Sequence, residues 1–138
     1  MQDKSRLDPE LVEDFVNNAH GNLDRVRDLL DRHKTIVNAA WDWGGGDWET
    51  GLGAAAHMGR RDIALLLLER GARMDIFAAA MLGHLEIVWA TIQAFPAASR
   101  WRGPHGITLL KHAEAGGAAA APVVDYLRSL GETADDRH

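Results

Sequence analysis

The chain of 138 residues is 46% hydrophobic, enough for one compact core, and too short for two independently folding units of ordinary size. Fifteen Lys and Arg against twenty Asp and Glu leave a formal charge of -5, which argues against a nucleic-acid partner because no broad cationic surface meets a phosphate backbone. The absence of cysteine removes disulfides, thiolate metal sites and a Cys nucleophile, and fits a reducing compartment.

In chain order, the first predicted element is a helix over Leu11 to Ala19, entered through Asp8-Pro9-Glu10, an N-cap with proline in the first turn. Gly21 follows, and then an amphipathic run with Leu23, Val26 and Leu30 on one stripe. The next stretch, Trp41-Asp42-Trp43-Gly44-Gly45-Gly46-Asp47-Trp48-Glu49, holds three of the five tryptophans beside three consecutive glycines. It reads as a projecting loop.

Thr50 caps a second short helix, Leu52 to Met58, and an amphipathic run with Ile63, Leu66 and Leu67 follows Gly59. Asp75 caps a third, Ile76 to Leu82, after which Gly83 leads into Leu85, Val88, Trp89 and Ile92, stopped by Pro96. A second loop, Trp101-Arg102-Gly103-Pro104-His105-Gly106, precedes Thr108 and a fourth short helix, Leu109 to Ala115; the last amphipathic run carries Val123, Tyr126, Leu127 and Leu130. Gly71 and Gly131 stand where helix C-termini want a left-handed residue. Sustained strand alternation is absent, so the expected class is all-α.

A unit of short helix, Gly and amphipathic helix thus recurs four times. Together with Thr50-Gly51-Leu52-Gly53-Ala54-Ala55-Ala56-His57 and Gly83-His84-Leu85-Glu86-Ile87-Val88, it resembles the ankyrin repeat. The resemblance implies a helical repeat solenoid of about four helix-turn-helix repeats, approximately 8–38, 39–73, 74–100 and 101–131, followed by a polar tail over 132–138. In that register the projecting finger between the second and third repeats is deleted. The deletion is expected to open a notch walled by the two remaining fingers.

The resemblance implies binding of a protein partner through the concave face. Trp41, Asp42, Trp43, Asp47, Trp48, Glu49, Asp75, Phe77, Trp101 and His105 are the expected contact residues. The alternative is a small-molecule site or a cofactor-independent acid–base enzyme of the isomerase, cyclase or lyase type. There His57 or His105 would transfer the proton and Asp47 or Asp42 would orient it.

Of the other histidines, His20 and His84 are expected in helix-linking turns without a chemical role, while His33 and His138 are expected in solvent. No metal-ligand spacing such as His-Glu-x-x-His is present, so neither a metal nor another cofactor is expected. Gly51-Leu52-Gly53-Ala54-Ala55-Ala56 mimics a dinucleotide fingerprint but opens a helical repeat rather than following a core strand. The polar start Met1 to Arg6 and the short apolar runs predict neither a signal peptide nor a membrane partner, and a cytoplasmic location is expected.

Overall fold

The computed structural model describes residues 4–133. Its elements are α1 (Pro9–Asn18), α2 (Leu23–Arg32), β1 (Ala40–Asp42), β2 (Trp48–Thr50), α3 (Gly51–His57), α4 (Arg61–Glu69), α5 (Ile76–Leu82), α6 (Leu85–Ala94), α7 (Leu109–Ala115) and α8 (Ala121–Ser129). The predicted caps form as hydrogen bonds. Asp8 accepts from the Glu10 N–H, Thr50 from Gly53, Asp75 from Ala78 and Thr108 from Lys111. Each satisfies an orphan donor of a first turn, and so the short helices start where the sequence places them.

The short helices α1, α3, α5 and α7 pack side by side, with the amphipathic helices laid against them. Their facing residues are small, Ala54 to Ala56 on α3 and Ala78 to Ala80 on α5, all fully buried. One apolar cluster centres on Phe15, Leu29, Leu30, Leu52, Ile63 and Leu67, and a second on Ile76, Val88, Leu109, Leu110, Val123 and Leu127. Among the described residues no helix is long and apolar enough to cross a membrane.

The expectation of an all-α solenoid is overturned. Strands β1 and β2 pair antiparallel, with Ala40 opposite Thr50, Trp41 opposite Glu49 and Asp42 opposite Trp48. At three residues each, these strands are too short to show alternation, and the hairpin is made by its turn instead. Gly44, Gly45 and Gly46 all hold positive φ, 132°, 64° and 85°, and the Asp42 carboxylate accepts from the Gly44 and Gly46 N–H groups.

The helix pairs are also not equivalent units contacting only their neighbours, as a solenoid requires. Helix α3 packs directly on α7 across the row, the two-stranded sheet precedes the second pair while only an isolated bridge, Arg102 to Thr108, precedes the fourth, and the fourth pair is joined through a 3-10 turn at Gly117–Ala120. The architecture is a helix-rich assembly with a two-stranded sheet. Of the polar tail expected over 132–138, residues 134–138 lie outside the described residues.

Candidate metal centre

Pairing in the hairpin sends alternate side chains of β2 to opposite sides. Trp48 is exposed, whereas the Glu49 side chain turns inward and is fully buried. Three imidazoles converge on that carboxylate from three other segments. His20, in the turn after α1, brings Nε2 to 3.1 Å from Glu49 Oε1. His57, the last residue of α3, brings Nε2 to 3.0 Å from Oε2, and His105, from the loop before α7, brings Nε2 to 3.2 Å from the same oxygen. The rings are 5.0 Å (His20–His57) and 5.3 Å (His57–His105) apart, and one ligand-type atom from each of the four residues lies within 4.8 Å of every other.

The outer face of the rings decides which nitrogen looks inward. His20 Nδ1 lies 3.0 Å from the Val16 carbonyl and 3.1 Å from that of Asn17. Carbonyls only accept, so Nδ1 carries the proton and Nε2 is left toward the cluster. His105 Nδ1 lies 2.7 Å from Asp47 Oδ2, while Asp47 Oδ1 accepts from the His105 backbone N–H. A carboxylate behind an imidazole is the usual outer support of a metal-ligating histidine. His105 adopts this pose from a left-handed backbone, φ 61°, the sole non-glycine positive φ among the described residues.

Two atoms of the cluster are orphaned. Glu49 Oε2 and His57 Nε2 are both buried, and neither has a hydrogen-bond partner despite their 3.0 Å separation. Their approach lacks hydrogen-bond geometry, and buried polar atoms left unsatisfied cost free energy unless something fills the space between them. By contrast Oε1 accepts from the Trp43 indole N–H at 2.9 Å.

Burial pushes the Glu49 carboxyl up, but the facing imidazoles of His20 and His57, with the Trp43 indole, outweigh it and hold the group far below the usual carboxylate range. The Glu49 carboxylate in turn raises His20 against the opposing cost of burial. Asp47 is lowered chiefly by the His105 backbone N–H.

The remaining sequence-predicted residues divide. Asp42 is occupied with its own hairpin turn, and Trp41 packs against the first apolar cluster. Trp101 lies against Phe95, 6.2 Å away, apart from the cluster. Between the hairpin and the 102–106 loop a groove of about 410 Å³ is lined by Asp47, Trp48, Asp75, Phe77, Arg102 and Pro104 among others, so Trp48, Asp75 and Phe77 share a surface distinct from the imidazoles.

No local spacing predicts a metal, and the fold gathers histidines and a carboxylate that could hold one. His20, set aside as a turn residue, is one of four converging groups, and these come from positions 20, 49, 57 and 105, a spread that no local spacing reveals. One signal was available: His20 and His57 each sit at the end of a short helix, just ahead of Gly21 and Gly59, so packing α1 beside α3 brings them together. The chain matches no protein-family model and no curated protein.

Proposed function

We propose that this protein binds a divalent first-row transition ion of the Zn2+ type through His20, Glu49, His57 and His105. The observation that carries the reading is the convergence of three imidazole nitrogens and one buried carboxylate within 4.8 Å, with Oε2 and His57 Nε2 unpartnered. Imidazole and carboxylate together suit Zn2+, Co2+, Ni2+ and Fe2+, whereas Ca2+ and Mg2+ want oxygen donors. A cation also resolves the electrostatics. Its charge meets the Glu49 carboxylate, and it takes the lone pairs that would otherwise stand buried against one another.

The reading as a protein-recognition module needs a common face of tryptophans. Trp41, Trp43, Trp48 and Trp101 instead divide among core, cluster, groove and the Phe95 contact, and the metal reading is the one the geometry supports better. In this reading the Asp47–His105 pair, a candidate for proton transfer by sequence, supports a ligand from outside.

Calorimetric titration of the metal-stripped protein with Zn2+ tests the proposal. One ion per chain is expected, with quenching of Trp43 fluorescence when Co2+ replaces Zn2+. His57→Ala and Glu49→Gln, each checked for retained helical circular dichroism, should weaken binding by 100-fold or more, on the order of 3 kcal/mol. Unchanged Zn2+ affinity in either folded variant refutes the assignment.

A further inference from the structure

We infer that the centre keeps a coordination position open to solvent and takes a small exogenous donor there, water or a small inorganic anion, rather than being a closed structural site. The inference rests on the metal reading above. Its own basis is the gradient of exposure around the cluster. Glu49 forms a floor with 0% of its side chain exposed, His57 a nearly closed wall at 12%, and His20 and His105 the open side at 24% and 33%.

The buried donors are those of Glu49 and His57, and the side chains that reach the surface are those of His20 and His105, which is the side on which we place the open position. A structural zinc site is closed by four protein ligands disposed on all sides, whereas an ion ligated from one side completes its shell with exchangeable ligands.

The mouth has a defined rim. Trp43, 36% exposed, stands edge-on to His20 with ring centroids 6.1 Å apart and 6.2 Å from His105, while its N–H is held on Glu49 Oε1. The rim is thus aromatic, with the nearby carboxylates already engaged: Asp47 by His105 and Asp42 by the hairpin turn.

Three neutral imidazoles and one carboxylate leave a divalent ion with a residual charge of one at the centre. That charge, offset in part by the Asp47 carboxylate behind His105, favours water, hydroxide or a small anion over a further cation as the added donor. A water in the open position would have its pKa lowered by the ion toward the neutral range, as in open zinc sites.

Cobalt substitution tests this directly, because Co2+ visible bands report its ligands. The Co2+-loaded full chain is titrated with sodium azide and, separately, with sodium thiocyanate. A saturable change of the visible bands is expected, with Zn2+-loaded protein showing no band at all. Cobalt that binds stoichiometrically, is lost in His57→Ala, and gives bands insensitive to both anions overturns the open position while leaving the metal reading standing. Failure of Co2+ and Zn2+ to bind overturns both.

Discussion

At the scale of single residues, His112 shows how burial and chemistry separate. Its side chain is wholly buried on α7, its Nδ1 lies 2.7 Å from the Thr108 carbonyl, and its ring packs on Phe77 at 4.8 Å. Gly103 exists in part to admit that ring, since a Cβ there would stand 3.0 Å from the imidazole. The loop carrying His105 is therefore seated on His112 from below.

Burial pushes the His112 imidazole down from 6.5 to about 4. Below 6.5 the unfolded chain takes up a proton that the folded chain refuses, and stability falls as pH drops from 6.5 toward 4. Between about pH 7 and about pH 5 this residue should cost about 2 kcal/mol of stability. Urea denaturation of His112→Leu at the two pH values should show a dependence smaller by that amount. An unchanged difference would remove His112 as the cause.

At the scale of elements, the hairpin is the part that aims the carboxylate. Its antiparallel pairing sets Glu49 inward and Trp48 outward, and a slip of one residue would exchange them. Two hydrogen bonds from the Gly44 and Gly46 N–H groups to Asp42, at 2.8 and 3.0 Å, hold the turn that sets this register. Asp42→Ala is expected to cost about 1–2 kcal/mol in thermal or urea unfolding. It should also weaken Zn2+ binding without touching a ligand, since Glu49 then has to be ordered on binding. Destabilisation with full Zn2+ affinity would mean that β2 keeps its register without the turn.

At the scale of the whole molecule, the cluster ties together residues from position 20 to position 105, and an ion there links α1, β2, α3 and the loop before α7. Such a ligand binds the folded chain and scarcely the unfolded one, where the four groups are far apart. Zn2+ at 100 times its dissociation constant should therefore add about 2.7 kcal/mol to the unfolding free energy. In scanning calorimetry that corresponds to a rise in Tm of roughly 5–10 °C. The rise should vanish in His57→Ala. A rise of equal size in that variant would place the ion elsewhere on the protein.

The sequence by itself determined what is local. Asp8, Thr50, Asp75 and Thr108 announce the helix starts because capping involves atoms only two or three residues apart, and the apolar stripes announce the amphipathic helices because their period is that of one helix. Glu49, His57, Asp47 and His105 were also legible as chemically capable residues near a Gly-rich loop. What only the tertiary structure decided is the hairpin, the direct packing of α3 on α7, and the inclusion of His20. Each depends on contacts between distant segments. A cluster drawn from four segments has no spacing to read, and it forms only through the way α1, β2, α3 and the loop before α7 meet.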